Sequence, residues 1–366
     1  MAQGRVAVAM SGGVDSSMAA ALLQQAGYEV LGITMQIWPA DEPARERDGF
    51  RSCCGAEAIE AARKTANKLS IPHFVMNLRD VFARQVITDF CQEYSRGRTP
   101  NPCIRCNQYV KFDALLTRVK ELDADFLATG HYARVEHSGD GYQLLKGFDP
   151  TKDQSYFLYT LGQQELQNLL LPIGDYHKEA VREMAAKLDL PTAGRPASQD
   201  ICFIPDNDYR SFIGDYVQPE PGDIVDTEGN VLGKHQGLAR YTVGQRQGLG
   251  LSSTTRLYVL KLDTINNELV AGTGDQLFTS RLLAANLNWV SGYPPADTAG
   301  ITARVRNKAS EVPVTLQVND NDARVDFHQP QRAISPGQSV VFYQGEAVLG
   351  GGIIEDVRCT ANPIVC

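Results

Sequence analysis

The stretch Arg5 to Ser17, RVAVAMSGGVDSS, decides how the chain is read. Val6 to Met10 is an unbroken apolar run, the pattern of a strand buried on both faces. It stops at Ser11-Gly12-Gly13. After Val14 come Asp15-Ser16-Ser17 and then the helical run Met18-Ala19-Ala20-Ala21-Leu22-Leu23. A strand that enters a glycine turn and then a helix is a ready anion site. Glycine lets the backbone approach a phosphate, while unbonded N–H groups and the helix dipole face it. The hydroxyls of Ser11, Ser16 and Ser17 are candidate donors. No Gly-Lys-Ser/Thr follows the glycines, so this is not a Walker loop, and the spacing of a dinucleotide fingerprint is absent. A helix capped by serine after a tight turn fits the same residues without any ligand.

Strand and helix alternate on both sides of that stretch. Glu29 to Ile37 reads as a second, buried strand, His73 to Leu78 as a third strand, and Phe126-Leu127-Ala128-Thr129-Gly130-His131 as another that ends at a glycine. Helices are predicted over Glu57 to Leu69, Val81 to Tyr94, Phe112 to Leu122 and Lys178 to Leu188. This is the doubly wound, mostly parallel α/β class (Rossmann-like), in which ligands lie beyond the carboxyl ends of the strands, where the glycine loop, Met35 and Gly130 fall. Composition shifts near Pro205. A small, mostly-β region rich in glycine turns follows, and from about Ser280 short alternating strands indicate a β-barrel. Three domains are expected, over residues 1–205, 206–278 and 279–366.

The 366 residues carry a formal charge of −8, which argues against nonspecific coating of nucleic acid and leaves room for a local basic strip. No signal segment and no membrane-spanning run is read at the sequence level, so a cytoplasmic location is expected. In such a chain the 8 cysteines are more often catalytic, metal-binding or inert than a disulfide framework. Cys103 and Cys106 form a CxxC inside GRTPNPCIRCN, and its two prolines and glycine predict that no helix starts before Cys106. Arg96, Arg98, Arg105 and Lys111 make the stretch basic against the single acid Glu93, a setting that favours thiolate. A buried or zinc-bound CxxC remains an alternative; a four-cysteine zinc site using Cys53 and Cys54 would need adjacent ligands, which close one tetrahedron awkwardly.

SGGVDSS resembles the pyrophosphate loop of the ATP-pyrophosphatase (PP-loop) superfamily. Together with GRTPNPCIRCN and the VKF after it, ATGHYA, KDQSYFL, SQDICFI and YTVGQRQGLG, in this order and spacing, it resembles the tRNA-specific 2-thiouridylases over nearly the whole chain. The resemblance implies an ATP-dependent exchange of the C2 oxygen of a wobble uridine for sulfur. It implies an ATP site at Ala9, Met10, Ser11, Gly12, Gly13, Val14, Asp15, Ser16, Met35 and Gly130, with Mg2+ as companion ion. It assigns Cys106 as nucleophile and Cys202 as persulfide carrier. The segments Asn101-Pro102-Cys103 and Lys152-Asp153-Gln154 match those that contact tRNA and the target base. Arg306-Asn307 falls roughly where a tRNA-contacting pair is placed, without the usual aromatic. Many relatives carry aspartate where this chain has Cys103. The implied partners are tRNA and a sulfur donor protein (a cysteine desulfurase or sulfur relay protein), with no membrane.

The chemistry suits these residues. Adenylation converts a poor leaving oxygen into AMP, and a persulfide on Cys202 can deliver sulfur, with Cys106 attacking the outer or the inner sulfur to release sulfide or close a Cys106–Cys202 disulfide. Asp15 reads as a magnesium ligand, a loop-ordering carboxylate or a helix cap. Ile201, Phe203 and Ile204 suggest a sheltered strand edge around Cys202. Tyr109, Tyr132 and Tyr156 are candidate stacking partners for an extruded base. Alternatives are an iron–sulfur cluster held by Cys103, Cys106 and Cys202, an amidating synthetase of the same superfamily, and a tRNA-binding protein that uses ATP only as a ligand.

Overall fold

The computed structural model describes residues 3–37, 55–139, 141–196, 201–204 and 208–358. Cys53, Cys54, the charged stretch Asp41 to Asp48, Ser198 to Asp200, Pro205, Cys359 and Cys366 lie outside the described residues.

β1 (Arg5–Ala9), β2 (Glu29–Gln36) and β3 (His73–Asn77) pair in parallel with β4 (Phe126–Ala128). The side-chain period of two sends Val6 and Val8 into one apolar cluster and Ala7, Leu31 and Ile33 into the other. Helices therefore cover both faces, as the unbroken apolar runs predict. On one face lie α1 (Val14–Gln25) and α2 (Ala56–Leu69). On the other lie helical stretches over 79–95 (α3) and 102–120 (α4). After the hairpin β5 (Ala133–Ser138) and β6 (Gly141–Lys146), the two-residue strand β7 (Leu169–Leu170) completes the order β3-β2-β1-β4-β7. The helix α5 (Lys178–Lys187) packs on α1.

A second sheet joins β8 (Gly222–Val225), β9 (Val231–His235), β10 (Tyr258–Asp263) and β11 (Glu268–Gly272) around Ile224, Val259 and Leu269. The remaining strands are β12 (Phe278–Trp289), β13 (Thr302–Arg304), β14 (Val312–Asn319), β15 (Asp322–Arg332), β16 (Ser339–Gln344) and β17 (Ala347–Arg358). They close an antiparallel barrel in which β17 pairs back onto β12. Closure removes the exposed sheet edges that such alternating strands would otherwise present. The β5–β6 hairpin joins this barrel rather than the parallel sheet, through Leu145 opposite Ala347. Among the described residues no helix is long and apolar enough to cross a membrane.

Two local expectations are corrected. The helix carrying both loop cysteines starts at Pro102, before Cys103, with Asn101 as its N-cap. Proline at the first helical position loses no hydrogen bond, because that N–H has no intrahelical partner, and its fixed φ suits the helix. Residues 201–204 form a turn, closed by Ile204 N donating to the Ile201 carbonyl, rather than a strand edge.

Candidate active site

The glycine loop is rooted by Thr34, whose hydroxyl donates to the Met10 carbonyl at 2.8 Å. Ser11 N donates to Ser16 Oγ at 3.1 Å, and the Ser16 and Ser17 hydroxyls donate to the Gly13 carbonyl at 3.2 and 2.9 Å. All three candidate hydroxyls contact the loop itself, Ser11 Oγ lying 3.3 Å from Ser16 Oγ, and Ser11 is the exposed one. Gly12 turns the chain at φ +70°. Gly13 caps α1 with no side-chain bond, which leaves the first-turn amides without a side-chain acceptor, as an anion site needs. Ala9 ends β1 and Met10 follows it, Val14 and Ser16 are buried at the start of α1, and Met35 is the last residue but one of β2. Gly130 follows β4 and lies against the loop: a Cβ there would sit 2.6 Å from Ser16 N and 2.7 Å from the Asp15 carbonyl carbon.

Asp15 does not cap the helix. Both its oxygens accept from Lys178 Nζ, at 2.5 and 2.6 Å, and Tyr132 Oη donates to it at 2.8 Å. Burial, followed by the Asp15 charge, pushes the Tyr132 phenol far above its ordinary value, so it stays a donor. Lys178 is placed by its own N–H, which donates to Asp149 Oδ2 at 3.0 Å. Neither Lys178 nor Asp149 carries a motif, and only the fold brings them to the loop.

Cys106 is buried in the first turns of α4, within the same apolar cluster against which Cys202 packs from almost a hundred residues away. The Cys202 turn is anchored by Phe203, whose ring meets Phe82, Phe90 and Phe212 at 5.6, 5.4 and 5.3 Å. Cys103 is exposed. Asn107, next to Cys106, donates to the Phe157 carbonyl at 2.9 Å and accepts from Lys111 at 2.8 Å. Lys111 lies 3.4 Å from His131 Nε2. Since lysine can only donate, His131 carries its proton on Nδ1 and gives it to Thr129 Oγ1 at 2.7 Å. Thr129-Gly130-His131 therefore touches the glycine loop on one side and the cysteine helix on the other.

The basic character read around Cys106 is largely neutralised. Arg98 pairs with Glu93 and Glu355, Arg96 with Glu93, and Arg105 with Asp89 at 3.2 Å. Asp89 stands one helical turn before Glu93, and Glu355 comes from the barrel, so neither neighboured the loop in sequence. In the KDQ segment Lys152 is exposed, whereas Asp153 is buried and accepts from Gly147 N, Ser155 and Arg304. Gln154 Oε1 accepts from Tyr132 N. Tyr132 and Tyr156 are buried, and Tyr156 donates to the Ser339 carbonyl. Tyr109 remains half-buried, 5.9 Å from Arg105. Arg306 is exposed in the turn after β13, with Asn307 half-buried beside it. Among the described residues no three of His, Cys, Asp or Glu group as a metal would require, so Cys103, Cys106 and Cys202 do not form a cluster site in this geometry.

Family models match in three consecutive pieces: the tRNA methyl transferase HUP domain over residues 4–206, its PRC-barrel domain over 210–273, and the aminomethyltransferase β-barrel domain over 279–354. The tRNA-specific 2-thiouridylase MnmA of Carboxydothermus hydrogenoformans is 50% identical over 359 residues, covering 96% of this chain and 97% of that protein. That of Lachnoclostridium phytofermentans is 48% identical over 354 residues, covering 96% and 99%. The chain belongs to the tRNA-specific 2-thiouridylase family. In this 2-thiouridylase the glycine loop and the helix of Cys106 are joined through Thr129-Gly130-His131.

Two expectations follow from this packing. Gly130→Ala would press its methyl into the backbone of Asp15 and Ser16. Overpacking costs about 1–3 kcal/mol, so affinity for a non-hydrolysable ATP analogue is expected to fall about fivefold or more by calorimetry. His131 is held neutral well below its ordinary pKa by burial, then by Lys111. The unfolded imidazole takes up a proton below a pH of about 6.5 that the folded one refuses, so stability present above that pH is lost as the pH falls toward the depressed value. The melting temperature is expected to drop on acidification more steeply for the native chain than for His131→Asn.

Proposed function

We propose that this 2-thiouridylase uses ATP to adenylate the C2 oxygen of the tRNA wobble uridine, then replaces it with sulfur delivered through Cys202 and Cys106. The observation that carries the reading is the double contact of Thr129-Gly130-His131, which ties the anion loop to the helix of Cys106. A carbonyl activated at the loop is thereby close to the cysteines.

The first-turn amides of α1 and the exposed Ser11 suit the leaving pyrophosphate. Lys178 orders Asp15, and with both carboxylate oxygens so engaged Asp15 fits poorly as the main magnesium ligand. Mg2+ fits better as an ion carried in on the ATP phosphates. A persulfide on Cys202 attacks C2 with its outer sulfur, and AMP leaves with the original oxygen. Cys106 thiolate then attacks the inner sulfur, closes a Cys106–Cys202 disulfide and releases the thiocarbonyl. A thiol reductant and a fresh persulfide from a sulfur donor protein restore the pair. The aromatic packing of Phe203 supports a sheltered carrier.

Lys152, Asn101 and Cys103 suit contacts to tRNA from the rim of this site, and Arg306 with Asn307 suits a more distant contact on the barrel. The buried Asp153 and the half-buried Gln154 act by holding the rim in place. Because Cys103 is exposed at the second residue of a helix, where aspartate is also favourable, Cys103→Asp is expected to retain thiolation within about threefold, read as initial rate. The whole reading is tested by incubating the protein with ATP, magnesium, unmodified tRNA and a persulfide donor in the cytoplasmic pH range. Nucleoside mass analysis is expected to find 2-thiouridine at the wobble position. Its absence with an active donor would refute the reading.

A further inference from the structure

The C-terminal barrel reaches the nucleotide loop through a continuous set of polar contacts. Arg304 on β13 forks between two carboxylates, donating to Asp153 Oδ2 at 2.8 Å and to Glu311 at 2.6 Å, with its guanidinium 4.8 Å from the ring centroid of Tyr343. Its side chain is 15% exposed and that of Asp153 only 3%, so this is a desolvated pair rather than a surface one. The other Asp153 oxygen accepts from Gly147 N and Ser155 N at 3.0 and 3.1 Å.

From Asp153 the contacts continue to Tyr132 by two routes. The adjacent Gln154 is clamped to Tyr132 by a pair of bonds: Tyr132 N donates to Gln154 Oε1 at 2.9 Å, and Gln154 N donates to the Tyr132 carbonyl at 2.8 Å. Gly147 packs on the same carbonyl so closely that a Cβ would lie 2.6 Å from it. Tyr132 then donates to Asp15. Each contact fixes one polar partner for the next, from the buried Asp153 to the partly exposed Asp15.

We propose that Arg304 is a positioning residue for nucleotide binding: by holding Asp153, the barrel sets Tyr132 and hence the Asp15 carboxylate of the glycine loop. This rests on the reading of the loop as the ATP site and deepens it. Arg304 lies two residues before Arg306, so the turn suited to tRNA contact and the device that orders the loop belong to one stretch of chain.

The test is a double-mutant cycle on the full chain between Arg304→Met, which keeps the stem and loses the fork, and Tyr132→Phe, which removes only the last link. Affinity for a non-hydrolysable ATP analogue is measured by calorimetry without tRNA. Each single variant is expected to bind about tenfold more weakly, and the double variant no more weakly than the worse single one. Arg304→Lys, which keeps the charge and can serve one carboxylate at a time, is expected to fall between wild type and Arg304→Met; it stands in for the latter should that variant fail to fold. Affinity within twofold of wild type for the Arg304 variant, or single effects that multiply in the double, would overturn the proposal. Formation of 2-thiouridine by the wild type is followed in parallel and reports on the enzymatic reading alone.

Discussion

Cys202→Ala is expected to make no detectable 2-thiouridine, a loss of at least about a thousandfold, as when a covalent nucleophile is removed. The same variant should still release one burst of pyrophosphate for each tRNA bound. In the proposed sequence adenylation precedes sulfur transfer and uses the glycine loop, which this substitution does not touch. The turn of Cys202 is held by its neighbours, Phe203 among three aromatic rings and Ile204 in the core, so loss of the thiol should leave the fold intact. Cys106→Ala should behave similarly in thiolation, because the thiocarbonyl is then left bonded to the Cys202 sulfur. Rapid-quench measurement of pyrophosphate beside nucleoside analysis separates the two steps. Thiolation by Cys202→Ala at a tenth or more of the wild-type rate would remove the persulfide from the account.

Lys178→Met is the second large effect. Lys178 is 10% exposed and neutralises Asp15 beside the loop proposed to bind the ATP phosphates. Without the ammonium, an uncompensated carboxylate faces the incoming phosphates. At an effective dielectric of about 20 and a separation of about 8 Å, each unit of like charge costs about 2 kcal/mol, or roughly thirtyfold in affinity. The KM for ATP in tRNA-dependent pyrophosphate release is expected to rise by at least that factor. Asp15→Asn added to Lys178→Met should recover part of it by removing the repelling charge. An ATP KM within threefold of wild type in Lys178→Met would show that the pair only staples α5 to α1.

The parallel sheet was legible because strands buried on both faces are rich in apolar residues: Val6 to Met10 is an unbroken run, and in Glu29 to Ile37 Val30, Ile33 and Ile37 are mixed with small residues. The two-residue strand Leu169–Leu170 left no such run. The barrel was legible from alternation, but the capture of the 133–146 hairpin was not, since its pairing with β17 joins residues some two hundred positions apart. The same distance in sequence hid the electrostatics. Glu93 is the single acid near Arg98 in sequence because Glu355 comes from the last strand, and Lys178 starts a helix whose sequence carries no motif. Prolines were read as helix breakers before Cys106, although at the first helical position they start one. The glycine loop and the cysteines were visible because their chemistry is local; the residues that hold them in place are dispersed.

The claim at the centre is that the loop spends ATP on the uridine carbonyl itself. A tRNA carrying heavy oxygen at C2 of the wobble uridine tests it directly, by mass analysis of the nucleotide product. Expected is one heavy oxygen in the phosphate of AMP for each 2-thiouridine formed. Thiolated tRNA accompanied by unlabelled AMP, with the label in water, would contradict it.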